Sequence, residues 1–317
     1  MGSYVPIRGN FKAIPSGKRC ILAPGGWLPL SAPRIRRMDS PFAPIRASDV
    51  LQRNHVQVLG QTGPVLLYAH GFGGNQHMWD RITPAFAASH RQVLFDYVGS
   101  GRSDPAAFSV QRYSQLGGYA QDLLEVCDAL GLRSGVTLVA HSVSCSIGML
   151  AAITRPDLFE SVVMVGPSPC FLNHPPDYHG GFERQDLLDL LALMDQNYMG
   201  WASYLAPVVA GAGADGSVTH ELSDSFCSTD PVRARTFAEA TFFADNRQEV
   251  GQVPVPCLVL QHRRDTLAPY AVGEYMHRHL PRSALKVLEV AGHCGHMSHP
   301  ALVVEAMQTW LARKPGT

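Results

Sequence analysis

The sequence predicts an α/β fold: a mostly parallel sheet with helices on both faces and an all-helical lid. Three observations predict it. Short apolar runs alternate with segments of helical period. Most of those runs are nearly continuous in apolar residues, as strands buried on both faces tend to be. Residues 169–251 then lose the strand signal altogether before it resumes near residue 254.

The elements follow in order. Residues 55–59 alternate as a strand, and the Gly-rich segment 60–63 turns the chain. Residues 64–70 are an apolar run short enough for a buried strand, broken by glycines at 71, 73 and 74. Residues 80–90 read as loosely helical and 91–96 as a strand. Between 113 and 130 the apolar positions Leu116, Tyr119, Leu123, Val126 and Leu130 fall at helical spacing, and Gly131 supplies the stop. Residues 136–140 form a buried strand, 143–154 a helix that closes before Pro156, and 161–165 another strand. Helices are predicted over 182–210 (one or two), 217–227 and 231–244. The sheet resumes at 254–261, followed by a helix at 270–280, a strand at 284–290 and a final helix at 301–312.

Composition bounds the rest. The 317 residues suffice for one large domain with a core that needs no disulfide staples. Charged residues make up only 16% and apolar residues 46%, which excludes a mostly disordered chain. A formal net charge of zero argues against nucleic-acid binding. Seven dispersed cysteines with no C-x-x-C pair read as reduced, mostly buried thiols in a reducing compartment. No apolar run approaches a membrane span, and no signal-peptide core is present, so a cytoplasmic location is expected.

The charge is unevenly placed. Residues 1–38 hold seven basic residues and no acid, leaving 19 basic against 26 acidic residues in the remainder. This segment is rich in Gly, Pro and Ser and has no period. It reads as a flexible basic arm over 1–48, as translated upstream sequence with Met38 the true start, or as an Arg-rich transit peptide whose prolines spoil an amphipathic helix. The organisation expected is thus an arm (1–48), a first core segment (49–168), a helical lid (169–251) and a second core segment (252–317).

The chemistry gathers at three strand ends. Ser142, in the run VAHSVS (139–144), stands between a buried strand and a helix, where a sharp turn exposes a hydroxyl. Both glycines of G-x-S-x-G are replaced, by Ala140 and Ser144, which are small enough for the turn. Taken alone, Ser142 also fits an ordinary helix N-cap. His293 follows the strand near the C-terminus, and an imidazole there suits a general base. Asp265 follows another strand, and its carboxylate could orient the imidazole. The order Ser, Asp, His matches a nucleophile-elbow hydrolase. The amides of Phe72, in HGFG (70–73), and of Val143, at the helix N-terminus, are the candidate oxyanion donors; the alternative for HGFG is a generic Gly turn.

Other residues take plainer readings. The cluster His293, Cys294, His296 and His299 has the residue types of a metal site, but a reactive His beside helix-capping or packing His residues is expected, with no metal or cofactor. His141 reads as a packing neighbour, Cys145 as buried and unreactive, and Asp96 as a turn former. In the lid, Trp201, Tyr204, Phe237, Phe242 and Phe243, with Leu187, Leu191 and Met194, read mostly as packing against the core. The remainder would line a pocket for a small apolar molecule with one polar reacting bond.

Residues about 50–313 resemble the α/β-hydrolase superfamily, and within it the RsbQ-type stress-signalling hydrolases and the plant strigolactone and karrikin receptors. The resemblance rests on HGFGGNQHMW (70–79), VLFDYVGSGRSD (93–104), GYAQDLLEVCDALGL (118–132), VAHSVSCSIGMLAA (139–152), VVMVGPSPCFLN (162–173), FCSTDP (226–231) and GHCGHMSHP (292–300). It implies a triad of Ser142, Asp265 and His293, an oxyanion hole at Phe72 and Val143, and a four-helix lid over a hydrophobic pocket. It implies a small hydrophobic substrate or ligand and, in the RsbQ-type case, a PAS-domain phosphatase partner in activating a stress sigma factor. Ala140 departs from the Gly usual in such proteins, and the arm before Asp49 has no counterpart. Three functions stay open: an ester or lactone hydrolase, a sensor that binds or slowly cleaves a butenolide-type signal, and a carbon–carbon bond hydrolase.

Overall fold

A computed structural model describes residues 46–211 and 214–312. The basic segment 1–38 and Cys20 lie outside the described residues. Among those described, the chain begins with helix α1 (Ala47–Arg53) and strand β1 (Gln57–Leu59). Strands β2 (Val65–Ala69) and β3 (Arg91–Leu94) follow, then helices α2 (Val110–Tyr113) and α3 (Leu116–Ala129). Next come β4 (Val136–His141), α4 (Val143–Thr154) and β5 (Phe159–Val165). A helical insert contributes α5 (Arg184–Gln196), α6 (Tyr198–Ala210), α7 (Gly216–Ser228) and α8 (Pro231–Phe242). The chain returns through α9 (Arg247–Val250), β6 (Cys257–Arg264), α10 (Tyr270–His279) and β7 (Ser283–Ala291), and ends in α11 (Gly295–Ser298) and α12 (Pro300–Leu311).

Seven strands form one sheet in the order β1-β3-β2-β4-β5-β6-β7. Only the β1–β3 pair, at one edge, is antiparallel. Strand alternation divides the central sheet between two apolar clusters. Leu67, Ala69, Leu138 and Ala140 face the side covered by α3 and α4. Leu66, Tyr68, Val139 and Val163 face the side that holds Trp79, Phe86, Val303 and Met307. Because each central strand is buried on both faces, its apolar run is unbroken, which is why the parallel strands were legible in sequence.

The insert has its own apolar cluster, centred on Leu187, Leu191, Trp201, Leu205 and Phe242. That cluster also takes in Met78, Cys294 and Met297 of the sheet domain. Polar contacts tie α7 down as well. Arg81 donates two bonds to the Glu221 carboxylate, at 2.7 and 2.6 Å, and the Ser225 hydroxyl donates to the Gly73 carbonyl at 2.7 Å.

Three local differences from the sequence reading have physical causes. Residues 80–90 hold no α-helix. The segment carries one short 3-10 turn, Thr83–Phe86, with Pro84 in its first turn, and another, Gln76–Trp79, precedes it. Helix α1 was missed because its stability is tertiary: Val50 is buried, and Arg53 reaches Glu125 at 2.7 Å. Strand β6 runs on to Arg264 because the edge strand β7 extends its pairing that far. Asp96 performs the expected turn role, its two carboxylate oxygens each accepting a backbone N–H, from Gln76 and Arg102, at 2.8 Å.

Candidate active site

Ser142 sits between the last residue of β4 and the first of α4. Its φ of 57° lies in the left-handed region, costly for a side chain with a Cβ. The surroundings hold it there: its N–H donates to Val165 O at 2.9 Å, and its carbonyl accepts from Cys145 N at 2.9 Å. Its hydroxyl caps no helix N–H, so the ordinary N-cap reading fails. It meets His293 Nε2 at 2.7 Å instead.

The two missing glycines are accommodated in different ways. Ala140 is fully buried within β4. Ser144 uses its hydroxyl, donating to the His70 carbonyl and so tying α4 to the end of β2. A tight helix–strand contact falls further on, at Gly148, where an added Cβ would come within 2.5 Å of the Leu138 side chain.

His293 follows β7 through Gly292, and its backbone N–H donates to Val209 O at 2.8 Å. Its Nδ1 lies 2.9 Å from both oxygens of Asp265. Asp265 Oδ1 also accepts the N–H groups of Leu267 and Ala268, both at 2.9 Å. The Asp265 side chain is completely buried. Burial alone would push its carboxyl up. The charge of His293, with hydrogen bonds from His262 and His293, outweighs that and holds it far below the usual carboxylate range. The structure thus brings Ser142, His293 and Asp265 into one continuous chain of contacts.

His262 went unnoticed in the sequence. It is fully buried in β6, and its Nδ1 lies 3.1 Å from Asp265 Oδ2. The carboxylate therefore serves two imidazoles. A signal existed: His262 and Asp265 are three residues apart at a strand end, but that spacing alone does not imply contact, and the strand pairing is irregular between His262 and Arg264.

The remaining histidines pack. His141 Nε2 lies 3.1 Å from the His293 carbonyl, and its ring lies 4.3 Å from that of His296. His296 is buried against Trp79, with ring centroids 4.7 Å apart, and neither of its nitrogens has a partner. Burial, and then the neighbouring histidines, keep both rings neutral by lowering their pKa well below the ordinary value. His299 occupies the N-cap position of α12. Cys145 is fully buried, and burial pushes its thiol far up.

Phe72 lies in the loop after β2, between Gly71 and Gly73. The His70 ring braces this loop, its Nδ1 bonding the Gly71 carbonyl at 2.9 Å while its Nε2 accepts from Tyr97 N–H at 3.2 Å. Neither the Phe72 nor the Val143 backbone N–H has an acceptor among the described residues. Two amide donors beside Ser142 are thus uncommitted, where most inward-facing N–H groups would be paired.

Ser142 and His293 open on a narrow cavity between the sheet edge and the insert. Its walls are largely apolar: Phe72, Met78, Phe171, Leu205, Val209, Leu222, Phe226 and Phe242. Thr241 is the polar exception contributed by the insert; its hydroxyl is buried and without a partner. Of the lid aromatics singled out from sequence, Phe242 lines the cavity. Trp201 and Phe237 stand behind Phe72 at 6.0 and 5.6 Å, and Tyr204 is exposed.

Comparison with known proteins agrees with this fold. Residues 64–300 match the family described as alpha/beta hydrolase fold. The chain is 35% identical to strigolactone esterase RMS3 of Pisum sativum, over 83% of its own length and 98% of that relative's. It is 36% identical to karrikin insensitive 2 receptor CA of Petunia hybrida, over 81% and 95%. A solved structure of a hydrolase from Oleispira antarctica superposes with a TM-score of 0.83 at 44% identity, covering 85% of this chain and 98% of that one.

Proposed function

The chain belongs to the alpha/beta hydrolase fold family, and from that premise we propose that it is a serine hydrolase cleaving a small hydrophobic ester or lactone. The observation that carries this reading is the 2.7 Å contact between Ser142 Oγ and His293 Nε2 at the floor of an apolar cavity. In this mechanism His293 Nε2 takes the Ser142 proton as Oγ attacks the substrate carbonyl. The oxyanion rests on the N–H groups of Phe72 and Val143. Asp265 holds Nδ1 protonated, leaving Nε2 free to accept. His293 then protonates the departing alkoxide, and the acyl group stays on Ser142. Water deprotonated by His293 releases the acid and restores the serine. In a lactone the leaving alkoxide stays on the acyl chain, so one molecule departs at the end.

The insert acts as the lid in this reading, residues 169–251 closing over residues 49–168 and 252–317. The narrow cavity favours a compact substrate, and Thr241 offers one hydrogen bond to a polar group away from the scissile bond. Six free thiols among the described residues, five of them buried, support a reducing, cytoplasmic setting. No helix among the described residues is long and apolar enough to cross a membrane.

A second reading is favoured by the names of the relatives, which include a strigolactone esterase and a karrikin receptor. Here the same triad binds or slowly cleaves a butenolide-type signal, and the lid recruits a protein. In an RsbQ-like system that protein would be a PAS-domain phosphatase that helps to activate a stress sigma factor. Counting product per enzyme separates the readings. With p-nitrophenyl acetate and a synthetic butenolide, the hydrolase reading expects many cycles per active site. A single stoichiometric burst, with a rise in melting temperature on ligand addition, would replace it with the receptor reading.

Gly166 offers a test of the triad's tolerance. Its φ is 58°, and an added Cβ would lie 3.2 Å from His293 Cε1 and 3.3 Å from Asp265 Oδ2. Gly166→Ala is expected to lower kcat/KM about tenfold by displacing the imidazole a few tenths of an ångström. The melting temperature should fall as well, since Ala is strained at positive φ. Equal kinetics in variant and parent would show that the His293–Asp265 pair has more room than its packing implies.

A further inference from the structure

Away from the cavity, three side chains of different chemistry converge where the chain enters and leaves the helical insert. Cys170 lies just past β5 and before α5. Asp245 lies just past α8. Their backbones form an antiparallel bridge, and the Asn246 N–H donates to Pro169 O at 2.8 Å. His174, four residues after Cys170, folds back over this junction through its own bridge to Tyr178. Cys170 Sγ is 3.6 Å from His174 Nε2, and His174 Nε2 is 4.0 Å from Asp245 Oδ2. Among the described residues, this is the one group of three Cys, His, Asp or Glu donors whose ligating atoms all lie within 4.8 Å of one another.

We propose that Cys170, His174 and Asp245 form a binding site for a divalent ion of zinc type, which fastens the two strands at the base of the insert. The donor set is one thiolate, one imidazole and one carboxylate, the combination that borderline-soft Zn²⁺ selects over Mg²⁺ or Ca²⁺. Tetrahedral zinc with ordinary bond lengths holds such donors about 3.3–3.6 Å apart. The sulfur–nitrogen pair already meets that spacing. The Asp245 carboxylate must move inward by less than an ångström or so. Both His174 and Asp245 have the freedom to do so, with side chains 41% and 42% exposed. Their exposure also gives the ion an entry path and leaves the fourth position to water. Thiolate and carboxylate together balance the charge of the ion.

Two local features oppose binding and set its conditions. Arg247 donates to both Asp245 oxygens, at 2.7 and 2.6 Å, so the ion must share that carboxylate. Cys170 is buried, which pushes its thiol up. Binding therefore releases the thiol proton to solvent, and affinity should rise with pH. The residue types of a metal site also occur together at His293, Cys294, His296 and His299, for which the sequence predicts no metal. Those residues do not form such a group, because His293 is committed to Ser142 and Asp265 and His296 is stacked on Trp79.

Co²⁺ titration of the full-length protein tests this proposal, with Zn²⁺ as competitor. One equivalent should bind with a thiolate-to-cobalt charge-transfer band and tetrahedral d–d intensity, and Zn²⁺ should displace it and raise the melting temperature. Cys170→Ser should abolish the band, and His174→Ala should weaken Co²⁺ binding by about tenfold or more. Cys227→Ser, at a half-buried thiol elsewhere, should change neither. Unchanged melting in the presence of a chelator shows that each variant is folded. His174 is partly exposed, so its variant remains informative even if Cys170→Ser is unstable. A band that survives Cys170→Ser or His174→Ala, or cobalt bound without any thiolate band, would overturn the proposal. None of these readouts depends on hydrolysis, so failure here leaves the hydrolase reading standing, and the converse also holds.

Discussion

Ser142→Ala is expected to lower kcat toward p-nitrophenyl acetate by about 10⁴-fold or more and to end labelling by a fluorophosphonate. The reason is local. Ser142 Oγ faces His293 Nε2 at 2.7 Å, and no other hydroxyl or thiol touches that nitrogen. KM should change little, because the apolar cavity wall that binds substrate is untouched. Stability separates this loss from unfolding. Alanine keeps the Cβ that makes a φ of 57° costly, so the melting temperature should stay near the parent's. Ser142→Gly should be equally inactive yet more stable, by about 1 kcal/mol, because glycine accepts that backbone conformation. Undiminished turnover by either variant would remove Ser142 as the nucleophile and the proposed function with it.

The second large effect is expected at Asp265. In Asp265→Asn one carboxylate oxygen becomes an NH₂ group, which can only donate. The native oxygens accept from Leu267 N, Ala268 N, His262 and His293. Whichever way the amide is turned, a donor now faces a donor. If the two backbone N–H groups keep the oxygen, His293 Nδ1 faces the new NH₂ group beside that shared oxygen, which favours the tautomer with Nε2 protonated, and that tautomer cannot take the serine proton. A fall in kcat of about 10⁴-fold is expected on that account. The variant also reports on stability against pH. The Asp265 carboxyl is held far below its unfolded value, so its contribution is fully present above about pH 4 and is lost as pH falls further. The parent should melt well above the variant at pH 6, and the gap should begin to narrow below about pH 4 and go on narrowing well below the ordinary carboxylate range. A gap that stayed constant would mean that the carboxylate is not preferentially stabilised in the folded state.

Much of this arrangement was legible before any coordinates. A strand buried on both faces has to be apolar at each position, and β2, β4, β5 and β6 declared themselves that way. Ser142 and Asp265 each follow such a strand and His293 follows the edge strand β7, so their chain positions already placed them at one edge of a parallel sheet. Helix α4 was delimited to the residue, because Ser142 opens it and Pro156 closes the segment behind it. Short or tertiary elements escaped: α1 depends on Arg53 meeting Glu125, and the 3-10 turns at 76–79 and 83–86 lack enough residues for any period to show.

Local chemistry written in residue order was therefore enough to determine the sheet, the insert and the three strand ends where reactive groups stand. Whether those groups touch was a matter for the tertiary structure, because 151 residues separate Ser142 from His293 and no local rule sets a distance across such a span. The same holds for the second imidazole on Asp265, the unpartnered Thr241 hydroxyl in the cavity wall, and the meeting of Cys170 with Asp245. Periodicity records which face of an element is buried; which faces then come together depends on packing the whole chain at once.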